Sequence, residues 1–233
     1  MKKLLMASAI ALFGLGNAQT TPAPIAKGTV YLSGSVGYSQ VESNNGNDKL
    51  ESFNILPTAG FFVADNFAIG LGAGFATTKE TQITTSLTTV KTDETTVKTD
   101  EFKTPALVIE PFARKYWTLS DKLYFFGQLA VPMQFGKIEN ESTSVTTIGS
   151  TTSTTSTTST TSTSSEAKYT SVGVTVKPGL DYFLNKNWTI EATIGEFGYN
   201  NFKPKGGVAT NNYNFGLDLT AVTIGVKYVF GQA

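Results

Sequence analysis

Residues 53–75 read FNILPTAGFFVADNFAIGLGAGF. Phe53, Ile55, Pro57, Ala59, Phe61 and Val63 recur at every second position before Asp65-Asn66. Phe67, Ile69, Leu71, Ala73 and Phe75 do so after it, against Ala68, Gly70, Gly72, Gly74 and Ala76. A period of two sends successive side chains to opposite faces of a strand. Asp-Asn between two such runs is a tight-turn composition. The stretch predicts antiparallel strands at about 52–63 and 67–78, joined by a hairpin.

The same alternation recurs at about 29–40, 102–117, 123–135, 169–184, 188–199 and 213–230, making eight segments. Val30, Leu32, Val36 and Tyr38 share a face in the first. Leu123, Phe125, Leu129, Val131, Met133 and Phe135 do so in the fifth. In the last, Phe215, Leu217 and Leu219 have one parity and Val222, Ile224, Val226, Tyr228 and Phe230 the other. A β-bulge near Thr220-Ala221 reconciles them; alternatively, only the second half crosses. Connections alternate in length. Asp65-Asn66, residues 119–122 and residues 185–187 are short, whereas about 41–51, 79–101, 136–168 and 200–212 are long and polar. Short turns on one side and long loops on the other are the habit of a membrane barrel.

Alternation does not say which face is wet, and a lipocalin-like soluble barrel alternates too. A soluble exterior carries many Lys and Glu. Here charged residues are only 15% of the chain, and the polar face is mostly Gly, Ala, Ser and Thr. Small residues suit the crowded interior of an eight-stranded barrel, and the Phe, Leu, Ile and Val face suits lipid. Trp117, Phe125 and Trp188 lie by the short turns, and Tyr228 and Phe230 end the last segment, as interfacial anchors do. Closure matters, because lipid offers no partner to an open sheet edge. The expected fold is all-β: an eight-stranded antiparallel up-and-down transmembrane β-barrel.

FNILPTAGFFVADNFAIGLGAGF, PFARKYW (111–117), KPGLDYFLNKNWTIEATIG (177–195) and VTIGVKYVF (222–230) resemble the small bacterial outer-membrane β-barrel family. This is the porin-like barrel domain of Bacteroidetes type, with an architecture like the OmpX and OmpA barrels. The resemblance covers about 28–230 and implies an outer-membrane location, with loops extracellular and both termini periplasmic. It also implies two partners, outer-membrane lipid and the barrel-assembly machinery. The family's assembly signal ends on a terminal aromatic; Tyr228 and Phe230 match it, although Gly231-Gln232-Ala233 follow. A monomer is expected.

The N-terminus has the three parts of a secretory signal peptide: Lys2-Lys3, an apolar run from Leu4 to Leu15, and small residues at Gly16 and Ala18. The run is shorter than a spanning helix needs. Residues 1–18 are therefore the signal peptide, 19–27 a Pro-containing extended lead-in and 28–230 the barrel domain.

Composition removes several functions. The chain has 18 basic and 18 acidic side chains, so nucleic acid is not an expected partner. It has no Cys and no His, which excludes disulfides, thiolate sites and histidine-dependent catalysis. No motif points to a cofactor or metal: GLGAG at 70–74 precedes no helix. Glu110 and Glu191 could be read as paired catalytic carboxylates, but basic partners would hold both ionised. No enzyme activity is expected.

Glu110, Arg114, Gln128, Lys177, Asp181 and Glu191 all take the parity of the interior face. Buried charges need partners. Counting from the short turns predicts Arg114 with Asp181 or Glu191, Glu110 with Lys177 one level higher, and Gln128 between. Such a set is either a structural plug or the lining of a narrow pore; the filled interiors of small barrels favour the plug.

TTVKTDE occurs at 88–94 and again at 95–101, and TTS four times from Thr151 to Ser162. The first suits a hairpin continuing strands three and four beyond the membrane. The second is expected to be disordered or a loose hairpin supported by Thr β-propensity. Loops 79–101 and 136–168 are candidates for an extracellular ligand or surface; the blander reading is a tolerated insertion.

Overall fold

A computed structural model of the chain describes residues 24–89, 93–150, 153–216 and 222–230. The predicted signal peptide, most of the lead-in and the bulge expected near Thr220-Ala221 lie outside the described residues, as do Thr151 and Thr152 of the TTS tract.

The strands are β1 (Val30–Ser43), β2 (Asp48–Ala64), β3 (Phe67–Thr89), β4 (Asp93–Lys103), β5 (Ala106–Thr118) and β6 (Leu123–Ala130). They continue as β7 (Met133–Ser150), β8 (Ser153–Phe183), β9 (Trp188–Ile194), β10 (Glu196–Pro204), β11 (Thr210–Gly216) and β12 (Val222–Phe230). All twelve join one antiparallel sheet. Its pairings run in a closed cycle, β1–β2–β3–β5–β6–β8–β9–β12, and return to β1.

Twelve strands stand where eight segments were expected, and three of the interruptions have local causes. Pro105 separates β4 from β5, and Pro132 separates β6 from β7; proline has no N–H to give the ladder. Register is nonetheless kept across each proline. Ala76 opposes Ala106 and Lys79 opposes Lys103; Ala130 opposes Thr175 and Met133 opposes Val172. At Gly195, φ +72°, register does shift: Thr193 opposes Gly179, but Phe197 opposes Val176. One extra residue is accommodated there, so outward parity changes from even on β9 to odd on β10.

The connections expected as long loops are largely ladder. β1 and β2 pair out to Ser43 and Asp48, leaving a turn in which Asn44 and Asn45 have positive φ. β3 and β4 pair from Lys79/Lys103 to Thr89/Asp93, and β7 and β8 continue to Ser150/Ser153. β4 also pairs with β7, so the two hairpins form a four-stranded wall above the cycle. β-Branched Thr is stiff and suits extended backbone. Hydroxyls also meet across strands, Thr96 with Thr146 at 3.1 Å and Thr143 with Ser162 at 3.3 Å. The segment about 200–212 likewise contributes the β10–β11 pair.

At the short-turn end the interior is packed with large side chains, not only the small residues read from the alternation. Tyr31, Phe62, Tyr116, Tyr124, Phe126 and Phe183 form one cluster. Ile25, placed in the lead-in by sequence, is buried in it: its N–H donates to Asn66 Oδ1 at 2.8 Å, and its carbonyl accepts from the Asn66 N–H at 2.9 Å. Glycines make room for the rings. A Cβ on Gly60 would lie 2.2 Å from the Tyr31 ring, and one on Gly179 2.3 Å from Phe126. Each glycine stands directly opposite its aromatic in the ladder. The outer wall has the reverse character: Leu32, Leu71, Leu129 and Val176 are each about half exposed.

Candidate functional site in the barrel interior

The interior polar network draws on six strands of the cycle, with Ser33 on β1. Glu110, Arg114 and Tyr116 lie on β5, Gln128 on β6, Lys177 and Asp181 on β8, Glu191 on β9 and Lys227 on β12. The alternation that turns apolar side chains outward turns these inward. Arg114 is opposite Gln128, which is opposite Lys177, and Asp181 is opposite Glu191.

They form a continuous network. Lys177 Nζ donates to Glu110 Oε2 at 2.6 Å, and Gln128 Nε2 donates to Glu110 Oε1 at 3.0 Å. Arg114 Nε donates to Gln128 Oε1 at 2.8 Å, and Arg114 Nη1 reaches Glu191 Oε2 at 2.6 Å. Ser33 on β1 donates to the second Glu191 oxygen at 2.6 Å. Lys227 pairs with Asp181, donates to the Tyr116 hydroxyl at 3.1 Å and lies 4.0 Å from Glu191 Oε2. The Arg114 guanidinium lies over the Phe126 ring, 4.2 Å from its centroid. In the low dielectric of an interior, such chains strengthen one another only when their members are satisfied.

All six residues of the sequence-derived set therefore occur in one interior network. Arg114 meets Glu191, and Asp181 meets Lys227, a residue absent from that set. The signal for Lys227 was present: in VTIGVKYVF it has the parity of Thr223 and Gly225, opposite to Val222, Ile224, Val226, Tyr228 and Phe230. Tyr116 and Ser33 were missed as partners because only charge and amide groups were counted. Lys177 also approaches Glu196 Oε2 at 3.9 Å, on the far side of the Gly195 bulge.

The aromatics by the turns face outward in pairs. Trp117 and Phe125 are opposite each other, with ring centroids 5.5 Å apart. Trp188 and Tyr228 are likewise opposed, at 5.0 Å, and Phe230 lies 4.7 Å from Tyr228. Among the described residues, no group of three His, Cys, Asp or Glu side chains is placed to hold a metal ion, and no helix is long and apolar enough to cross a membrane.

The chain matches no curated protein. Among solved structures it is similar to Neisserial surface protein A, with 13% identity over 87% of this chain and 99% of that chain and a TM-score of 0.40. It is similar to the N-terminal β-barrel domain of Pseudomonas aeruginosa OprF, with 12% identity, 88% and 98% coverage and a TM-score of 0.36. It is also similar to Ail, the attachment invasion locus protein of Yersinia pestis, with 16% identity, 88% and 99% coverage and a TM-score of 0.32. The family description "outer membrane protein beta-barrel domain" matches residues 8–230, nearly the whole chain. The chain therefore belongs to the outer membrane protein beta-barrel domain family, and its place is the outer membrane.

Proposed function

We propose that the protein is a structural or surface-interaction component of the outer membrane whose barrel is closed along its axis by its own side chains. The observation that carries this reading is the unbroken chain of hydrogen bonds and ion pairs from Asp181 to Lys177. Its three cations, Lys227, Arg114 and Lys177, are balanced by Asp181, Glu191 and Glu110. A network neutral in charge fills the middle of the barrel, with Asp181 Oδ1 its one buried oxygen lacking a hydrogen bond among the described residues, and the Ile25–aromatic cluster fills its short-turn end. Each of these charges has a partner that a permeating ion would have to displace.

In this reading the eight strands of the closed cycle span the membrane, and the four others are their extensions outside it. The short turns and both termini are periplasmic, residues 1–18 direct export, and the paired aromatics sit at the periplasmic interface. The protein is a monomer assembled by the barrel-assembly machinery. The β3–β4 and β7–β8 hairpins present its outermost surface to any extracellular ligand.

Planar-bilayer recording of the refolded protein tests the plug. No steady conductance is expected. Steady channels whose ion selectivity changes with Glu110→Gln would replace the plug with a narrow porin.

A further inference from the structure

The outer wall carries chemistry of its own. β7, β8 and β10 run side by side at the level where the apolar band ends. Lys137 stands directly opposite Lys168, and Thr170 stands between Phe135 on one side and Lys203 on the other. Lys205 lies two residues beyond Lys203, and its N–H donates to the Lys168 carbonyl at 2.8 Å. Four exposed lysines, Lys137 on β7, Lys168 on β8, Lys203 on β10 and Lys205 in the turn after it, thus gather on one patch. Directly below them Phe75, Leu107 and Phe135 are 41%, 55% and 47% exposed. The lysines and these apolar side chains line one groove of about 1050 Å³.

The lysines are not balanced within the protein. Lys137 pairs with Glu166 at 3.0 Å, whereas Lys168, Lys203 and Lys205 form no ion pair among the described residues. Glu139, also lining the groove, stands opposite Lys103 across the β4–β7 ladder. Farther round the wall the basic groups are matched: Lys49 with Glu51, and Lys79 and Lys103 with Glu101. Like charges directly opposed in a ladder destabilise it. Glu166 and Glu139, opposed one outward position away, offset part of the repulsion between Lys137 and Lys168, and the four lysines still exceed these two carboxylates, which favours an added anion.

We propose that this groove binds a phosphate-bearing, acylated lipid of the outer leaflet. The lysines hold the phosphate as point charges, and the Phe75–Leu107–Phe135 wall receives an acyl chain. The order of the two features, apolar below and basic above, is that of an amphiphile standing in the leaflet. The proposal rests on the reading that this wall faces lipid and this end is extracellular.

The test uses the full mature chain folded in neutral detergent, with native mass spectrometry as the readout. The probes are dioleoyl phosphatidic acid and, separately, dioleoyl phosphatidylcholine. The wild type is expected to retain phosphatidic acid about tenfold or more over phosphatidylcholine. Lys168→Gln/Lys203→Gln/Lys205→Gln should bring that preference close to unity. Lys168→Arg/Lys203→Arg/Lys205→Arg, which keeps the charge, and Lys122→Gln/Lys186→Gln, at the opposite end, should leave it intact. Equal retention by the glutamine triple variant overturns the proposal, as does equal loss in the opposite-end control. Displacement of the lipid by equimolar inorganic phosphate also overturns it, because the site would then take a free anion. Gel migration of the unboiled protein is followed in parallel. A folded barrel with no preference rejects only the groove, whereas absence of a boiling-sensitive band in the wild type rejects the barrel reading itself.

Discussion

Asp181 and Glu191 stand directly opposite each other across the β8–β9 ladder, two carboxylates of which almost nothing is exposed. Opposed like charges push strands apart, and more strongly in an interior than in water. The arrangement persists because two cations reach it from other strands. Lys227 comes from β12 to Asp181 and lies 4.0 Å from Glu191, and Arg114 comes from β5 to Glu191. Ion pairs here are a condition for closing the ring rather than an addition to a ring already closed.

Lys227→Met leaves Asp181 without its cation and Glu191 with one fewer. Removing one partner of a buried pair costs about 3–5 kcal/mol, because the other charge stays behind unpaired. The expected result is a large fall in the urea midpoint, followed by the boiling-sensitive band. Adding Asp181→Asn should recover much of the loss by removing the stranded charge. A double variant less stable than Lys227→Met would show that the charge is not what the lysine offsets.

Gly60 and Tyr31 provide a steric test that involves no charge. A Cβ at position 60 would stand 2.2 Å from the Tyr31 ring, well inside contact distance. Overpacking of this kind typically costs about 1–3 kcal/mol. Gly60→Ala should destabilise the barrel within that range, and Tyr31→Ala in the same chain should relieve the clash. The outcome that counts is non-additivity in unfolding midpoints: a double variant whose losses simply add would mean that Tyr31 does not lie over Gly60.

Much of this architecture was legible because a period of two is a strong signal. Parity alone placed Glu110, Arg114, Gln128, Lys177, Asp181 and Glu191 on one face, since an even step along a strand returns to the same side. Parity says nothing of how far one strand slides past the next, so Arg114 could be assigned to Asp181 or Glu191 but not to one of them. Lys227 also has the interior parity, but that it reaches Asp181 follows only once β12 is closed against β1 and β9. The lead-in gave no periodic signal, and burial of Ile25 depends on the Asn66 turn, which is distant in sequence. The TTVKTDE repeat already read as a hairpin continuing strands three and four, as the β3–β4 ladder shows, whereas the TTS tract was judged by its lack of apolar content, which left disorder and a loose hairpin both open. Order in that tract arises from neighbouring strands that continue the register upward, a property of the assembled sheet rather than of the segment.

The extension hairpin predicts a titration. Glu101 accepts from Lys79 at 2.8 Å and from Lys103 at 2.9 Å, and these hydrogen bonds hold its carboxyl below the ordinary value of 4.5. A depressed folded value means that the stabilisation is present above 4.5 and is lost only as pH falls through the lower folded value. Screening by solvent keeps the energy small at this exposed site. Carboxyl carbon shifts should show Glu101 titrating below 4.5, and Lys79→Gln/Lys103→Gln should move it back towards that value. A wild-type titration at or above 4.5 would exclude the two ion pairs in solution.

Val145 and Thr160 oppose each other near the top of the β7–β8 hairpin, where the ladder is built from Thr and Ser. Above that pair β7 and β8 continue as ladder beyond the strands of the closed cycle. Replacing residues 146–159 with Asn-Gly supplies the turn that a two-residue hairpin requires. The shortened protein should assemble, show the same boiling-sensitive migration and lose at most about 1 kcal/mol, as expected for surface ladder lacking a buried face. Failure to assemble would mean that the upper hairpin guides closure. In that case β4, which pairs with β7 from Lys103/Glu139 to Asp93/Gly149, would be the element that transmits it to β3.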